Sequence, residues 1–177
     1  MATTKILIAG FGGQGILFTG KAIAYTGLKC DKEVSWLPSY GPEMRGGTAN
    51  CSITVSDSPI GSPIVDKPDV LIAMNLPSLE KYVNETESGG YIIYDSSLIS
   101  KDVDRKDVSV SKIPATKLAN ENNLQGLANM IILGKFIKET SVLTLEQIKN
   151  SLAQMIPPKK ATLLENNIKA IDLGYNY

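Results

Sequence analysis

The strongest constraint on the fold lies near the N-terminus, where an apolar run, Lys5-Ile-Leu-Ile-Ala9, passes without a break into Gly10-Phe-Gly12-Gly13-Gln14-Gly15. A short β-branched run that ends in glycines reads as a strand buried on both faces. The residues behind it carry Ile16, Leu17, Ala22 and Ile23 ahead of Gly27, which predicts a helix over 14–27. Strand, glycine loop and helix in that order form the opening unit of an α/β layered domain, and such a unit needs further strands on which to pack.

The rest of the chain supplies them. Strands are predicted at 33–37, 69–74, 90–95 and 108–113. A further strand over 48–56 alternates Ala49, Cys51, Ile53 and Val55 with Asn50, Ser52 and Thr54, so it reads as half-buried and near a sheet edge. Asn75 is placed to cap a helix through about residue 85, with Pro77 in its first turn. Pro114 opens a segment of helix formers, and a helix is predicted over 124–140. Thr144-Leu-Glu-Gln147 fits a capping box for a helix to about 156, and a last helix is expected from about Lys159 to Leu173, stopped by Gly174. With no repeat or linker dividing it, 1–177 reads as one domain of α/β class: three layers, a Rossmann-like, mainly parallel sheet flanked by helices.

In such sheets ligands bind at the carboxyl ends of the strands. Gly10, Gly12, Gly13, Gln14 and Gly15 lie there, before a helix whose free N–H groups and dipole favour an anion. The same glycines would equally serve close strand–helix packing, and both readings stand. A nicotinamide dinucleotide also needs an acidic residue at the end of the second strand to hold the ribose. Here that strand ends in Trp36-Leu-Pro-Ser39, while Asp31 and Glu33 sit at its beginning, so NAD binding in the usual mode is not expected. The loop that follows, Ser39-Tyr40-Gly41-Pro-Glu43-Met-Arg45-Gly46-Gly47, leaves the same edge. Arg45 can fork onto a phosphate or carboxylate, Glu43 can orient it or accept a proton, and Ser39 and Tyr40 offer hydroxyls. The competing reading is an internal Glu43–Arg45 pair that shapes the loop. Ser58-Pro-Ile-Gly61-Ser-Pro63 reads as rigid structure, and Trp36 as core or interface.

Composition then removes whole classes of chemistry. There is no histidine, hence no Ser-His-Asp triad and no imidazole-held metal. Two cysteines, Cys30 and Cys51, form no C-x-x-C and fall short of the four thiolates of an iron–sulfur cluster. Lysine plus arginine and aspartate plus glutamate are 18 each, so no net field draws nucleic acid or anionic membrane. The start, Met1-Ala-Thr-Thr-Lys, runs directly into a strand without an apolar leader, from which a cytoplasmic location is expected.

Taken together, Gly10–Gly15, Ser39–Gly47 and Pro59-Ile-Gly-Ser-Pro63 at these separations resemble the gamma subunit of 2-oxoacid:ferredoxin oxidoreductases, a likeness running from about Thr4 to the final helix. The resemblance implies a multi-subunit enzyme that oxidatively decarboxylates a 2-oxoacid with coenzyme A, giving acyl-CoA, carbon dioxide and reduced ferredoxin. It further implies thiamine diphosphate and iron–sulfur clusters on alpha, beta and ferredoxin-like delta partners, and none on this chain. The form of the Ser39 loop looks closer to the 2-oxoglutarate and branched-chain versions than to the pyruvate version. The smaller subunit of indolepyruvate:ferredoxin oxidoreductase is a further relative. A docking scaffold and a stand-alone nucleotide- or flavin-dependent oxidoreductase are the alternatives. Isolated, the chain is expected to be inactive and to pair into a homodimer through the face that a partner would cover.

Overall fold

The structure, a computed structural model, describes residues 2–39 and 48–177. Its strands are β1 (Thr3–Phe11), β2 (Glu33–Ser39), β3 (Thr48–Ser56), β4 (Val70–Ala73), β5 (Tyr91–Asp95) and β6 (Ser109–Ile113). Its helices are α1 (Ile16–Lys29), α2 (Leu76–Tyr82), α3 (Ala115–Glu121), α4 (Ala128–Thr140), α5 (Leu145–Met155) and α6 (Ala161–Tyr175), with a 3₁₀ turn at Pro158–Lys160 before the last.

The strands form one sheet in the order β2-β3-β1-β4-β5-β6. β1, β4, β5 and β6 are mutually parallel. β3 runs antiparallel to both β1 and β2, so β2 points the same way as β1 and the sheet is mixed but mainly parallel. Alternate residues of the central strands supply two apolar layers. Ile6, Ile8, Val70, Ile72 and Ile93 pack beneath the helical layer that includes α1 and α4, while Leu7, Ala9, Leu71, Ala73, Ile92 and Tyr94 face α2. This is the expected three-layer α/β arrangement.

Several elements differ from the sequence reading. β3 does lie near the edge as expected, one strand in from β2. The polar side of β3 is not solvated as alternation suggested: Ser52, Thr54 and Ser56 are all buried. The Ser56 hydroxyl finds partners close by, its Oγ in contact with Thr3 Oγ1 at 2.7 Å and accepting the Ser58 N–H at 3.1 Å. Trp36 is 39% exposed and so is no core residue. The helix expected over 124–140 begins only at Ala128, because Asn123 and Gly126 take left-handed backbone angles and turn the chain first. Gly174 does not stop the last helix. It lies inside α6, where a Cβ would come 2.7 Å from the backbone carbonyl carbon of Ile131, and Gly134 on α4 is matched against Tyr175 N at 2.8 Å. The two helices touch backbone to backbone there, which only glycine permits. The α5 capping box forms as expected, with Thr144 Oγ1 accepting the Gln147 N–H and Gln147 Oε1 accepting the Thr144 N–H.

Candidate functional site

The carboxyl ends of β1, β4 and β5 converge with the first turn of α1 and the start of α4 on one edge of the sheet. β1 ends at Phe11, and Gly12 and Gly13 turn the chain, Gly13 with φ +91°. Gly15 at φ +76° is the residue ahead of α1, so the helix begins at Ile16 and not at Gln14. The Gln14 side chain takes a different part: its Oε1 accepts the Phe11 N–H at 2.6 Å and its Nε2 donates to Met74 O at 2.9 Å. One amide thereby closes the loop on itself and ties it to the end of β4.

The two outer glycines have packing reasons. A Cβ on Gly10 would meet Gln14 Oε1 at 2.6 Å and Met74 Cβ at 2.8 Å, and one on Gly15 would fall 2.7 Å from Asn129 Cγ. At Gly13 nothing lies within 4 Å, so that glycine serves the backbone angle and leaves the loop tip open. The close-packing reading therefore holds for Gly10 and Gly15, and the open tip at Gly12–Gly13 is the part free to meet something else.

Asn129, in the first turn of α4 and 6% exposed, reaches back to α1. Its Nδ2 donates to Thr19 Oγ1 at 3.1 Å and lies 3.4 Å from Gly15 O, while its Oδ1 is buried without a hydrogen-bond partner. Between the glycine loop and α4 lies a cavity of about 170 Å³ whose lining includes Gly13, Gln14, Met74, Thr116, Gly126 and Asn129. Behind Thr116 stands Asp95 at the end of β5, fully buried, whose Oδ2 accepts both the Thr116 N–H (3.1 Å) and hydroxyl (2.5 Å) and whose Oδ1 accepts the Ser97 N–H. With three donors its carboxylate is satisfied, and it organises the cavity wall without facing it.

Of the expected site residues, Gly10, Gly12, Gly13, Gln14 and Gly15 are thus brought to this edge. Ser39 ends β2 opposite Asn50, on the same edge, because β2 points with β1. Tyr40, Gly41, Glu43, Arg45, Gly46 and Gly47 lie outside the described residues. Asn75 caps α2 as expected, accepting the Ser78 N–H at 2.8 Å. Glu33 pairs in register with Ser56 and so with Thr3 at the opposite edge, which keeps it from the ribose position. Asn129, Thr116 and Asp95 were missed. The only sequence signal for Asn129 is a polar side chain at the head of the apolar run Met130-Ile-Ile-Leu133.

Comparisons with known proteins bear on the family and the fold. The family described as pyruvate ferredoxin/flavodoxin oxidoreductase matches residues 5–177. The chain is 41% identical over 130 residues to ketoisovalerate oxidoreductase subunit VorA of Methanothermobacter thermautotrophicus, covering 73% of this chain but 27% of that one. To 2-oxoglutarate synthase subunit KorC of Methanocaldococcus jannaschii it is 35% identical, covering 97% of this chain and 91% of that one. It therefore spans about a quarter of the first relative and nearly all of the second. Among solved structures, a keto/oxoacid ferredoxin oxidoreductase gamma subunit from Geobacter sulfurreducens superposes with a TM-score of 0.87 at 25% identity, over 99% of this chain and 96% of that one. A 2-oxoglutarate:ferredoxin oxidoreductase from Magnetococcus marinus, with 2-oxoglutarate, coenzyme A and succinyl-CoA bound, superposes with the same score and identity, over 99% of this chain and 31% of that one.

Proposed function

This chain belongs to the pyruvate ferredoxin/flavodoxin oxidoreductase family, and from that premise we propose that it is the gamma subunit of a 2-oxoacid:ferredoxin oxidoreductase, working on 2-oxoglutarate or a branched-chain 2-oxoacid in preference to pyruvate. The single observation that carries the reading is end-to-end similarity to a subunit of the same size in a 2-oxoglutarate synthase, 97% of this chain against 91% of that one. In this reading the complex oxidises the 2-oxoacid, releases carbon dioxide, transfers the acyl group to coenzyme A and passes two electrons to ferredoxin.

The side chains present do not suit an iron–sulfur cluster. Cys30 and Cys51 are its only thiols and it has no histidine. Cys51 is fully buried on β3, where burial pushes its thiol up to about 12, so it stays protonated at neutral pH. Among the described residues there is no group of three metal-binding side chains. The reading accordingly assigns thiamine diphosphate and the iron–sulfur clusters to alpha, beta and ferredoxin-like delta chains, with ferredoxin as the outside acceptor. What this chain contributes is a surface. Phe11, Phe18, Trp36 and Leu37 are each between 37% and 41% exposed. Phe11 and Leu37 belong to strands that end on the same sheet edge as the glycine tip, and in this reading a partner covers these side chains and the loop carrying Glu43 and Arg45. Among the described residues no helix is long and apolar enough to cross a membrane.

The test is reconstitution. The purified chain is assayed with 2-oxoglutarate, a branched-chain 2-oxoacid and pyruvate, each with coenzyme A and an artificial electron acceptor, alone and after assembly with candidate thiamine-binding and ferredoxin-like partner chains. Turnover only in the complex, highest with the first two acids, supports the proposal. Turnover by the chain alone overturns it.

A further inference from the structure

β2 is the outermost strand on its side of the sheet, and the ladder fixes which of its backbone groups face outward. The Asp57 N–H donates to Ala2 O, so odd-numbered residues of β3 turn their polar groups toward β1 and even-numbered ones toward β2. Across the β2–β3 register, Glu33, Ser35, Leu37 and Ser39 then bond β3, whereas Val34, Trp36 and Pro38 direct theirs away from the sheet. Pro38 has no N–H to leave unpaired there, which is where an edge strand tolerates proline. The outward N–H groups of Val34 and Trp36, and the carbonyls of all three, have no partner among the described residues. Trp36 and Leu37, both half-exposed, flank them on the two faces of the sheet.

Helix α1 extends this open edge. Leu17, Lys21, Ala24 and Leu28 recur at intervals of four, three and four, which sets them along one stripe. Thr19 lies on the opposite flank and bonds Asn129 of α4, so the stripe looks past β2, away from the rest of the domain. Leu28 on it is 62% exposed. A Cβ on Gly20 would meet Cys51 and Trp36, and one on Gly27 would meet Val34 and Val55. The helix therefore lies above the gap between β2 and β3, with the middle of its stripe near Trp36.

This edge fits a second copy of itself. A two-fold axis through Trp36 brings a second β2 alongside, antiparallel, at the strand spacing of about 4.8 Å. Each α1 is set back from its own β2 by half that spacing, so the two copies of α1 come to lie about 10 Å apart, within the range of packed helices. The two Trp36 residues exchange both bonds, and each Val34 N–H donates to the Pro38 carbonyl of the other copy. Every outward N–H thereby finds an acceptor, and only the Val34 carbonyls are left to water. On the helices the four-three-four spacing reads the same in reverse, as a two-fold demands. Leu17 then meets Leu28 of the other copy and Lys21 meets Ala24, so no like charges oppose each other, and a net charge of zero adds no repulsion between copies. A foreign strand would satisfy the backbone of β2 but has no reason to match that stripe.

We propose that β2 and the Leu17–Leu28 stripe of α1 form a two-fold interface with a second copy of this chain, joining two six-stranded sheets into one of twelve strands. Of the side chains assigned above to a partner, Trp36 and Leu37 face this second copy, while Phe11 and the glycine tip stay open to other chains. The assignment stands on the edge itself and does not depend on the family reading.

The test follows the full ¹⁵N-labelled chain by sedimentation equilibrium and by amide hydrogen exchange. A dimer is expected, in which the Val34 and Trp36 amides exchange at least about tenfold more slowly than in a monomeric variant, while the Ser35 and Leu37 amides, bonded to β3 in either state, serve as references. Trp36→Lys sets two ammonium groups across the axis and should raise the dimer dissociation constant at least about thirtyfold. Because Trp36 also packs on α1, Leu28→Glu, at an exposed helix position, provides a second arm and should raise the constant about tenfold. Leu98→Ser, an exposed apolar side chain at the end of β5, should leave it unchanged. A monomer throughout overturns the proposal. So does a dimer whose Val34 and Trp36 amides exchange as fast as in the Leu28→Glu monomer, or one as tight as the unaltered protein in folded Trp36→Lys or Leu28→Glu. Turnover of the reconstituted complex reads the family assignment separately, so either can fail alone.

Discussion

Three glycines separate backbone strain from packing at the glycine loop. Gly61 has open space around its missing side chain and an ordinary backbone angle, Gly13 has open space but φ +91°, and Gly15 has both φ +76° and Asn129 in the way. Alanine at Gly61 should change stability by less than about 0.5 kcal/mol. At Gly13 the left-handed angle costs about 1–2 kcal/mol, partly offset by about 0.4–1 kcal/mol from a stiffer unfolded chain. The net loss is then about 0.5–1 kcal/mol. Gly15→Ala carries the same balance and adds a collision, with its Cβ 2.7 Å from Asn129 Cγ. To relieve it Asn129 must swing away from Thr19 Oγ1, which breaks a buried bond and leaves amide groups unsatisfied at about 1–3 kcal/mol. The expected excess of Gly15→Ala over Gly13→Ala is therefore about 2 kcal/mol, or some 4–8 °C in Tm for a chain of this length. Urea unfolding followed by circular dichroism, with slopes checked for equality, reads it directly. Adding Asn129→Ala to Gly15→Ala should return part of the loss as a coupling of about 1 kcal/mol. Equal effects at Gly13 and Gly15, with no coupling, would refute the view that Asn129 holds the loop.

Three other outcomes are expected. Arg45→Ala in the assembled complex should weaken apparent affinity or rate by about 1.5–3 kcal/mol if Arg45 grips an anionic ligand, whereas a loop-internal pair with Glu43 predicts under about 1 kcal/mol; steady-state kinetics with assembly verified by gel filtration decides between them. Asp107 is held at about 2 by its bonds with Arg105, so it stabilises the fold at pH values above the ordinary carboxylate range near 3.8 and that support fades as pH falls toward about 2. Asp107→Asn should accordingly flatten the acid limb of a stability profile between pH 4 and 2 and leave its neutral region nearly level, as measured by urea titration at each pH. Light scattering of the isolated chain should give the mass of a homodimer, and a strict monomer at high concentration would argue against an extensive apolar partner face.

The sequence was informative where local chemistry decides the outcome. The apolar run into Gly10–Gly15, the Asn75 cap and the Thr144–Gln147 box are all written within a few residues, and all form. Even the antiparallel sense of β3 had a trace in its polar alternation, which is typical of antiparallel strands. The readings that failed depend on residues far away in the chain. Gly174 looks like a helix stop until α4 is laid across it. Gln14 looks like the first residue of a helix until Met74, sixty positions on, offers a carbonyl for its side chain. Asn129 takes its meaning from Thr19, 110 positions earlier, and no pattern within its own helix announces that bond.

The backbone contact at Gly134 and Gly174 has a consequence for how the protein is made. About twenty residues separate the end of α4 from the start of α6. Until those and most of α6 have left the ribosome, the side of α4 built around Ile131 and Gly134 has nothing to close upon. The sheet strands and α1 emerge earlier, so the nascent domain would pause with an unclosed apolar seam, the kind of surface that chaperones hold and that aggregates when they do not. A substitution that widens that seam would therefore reveal itself first as a lower yield of soluble chain at elevated growth temperature, ahead of any change in the mature protein's chemistry.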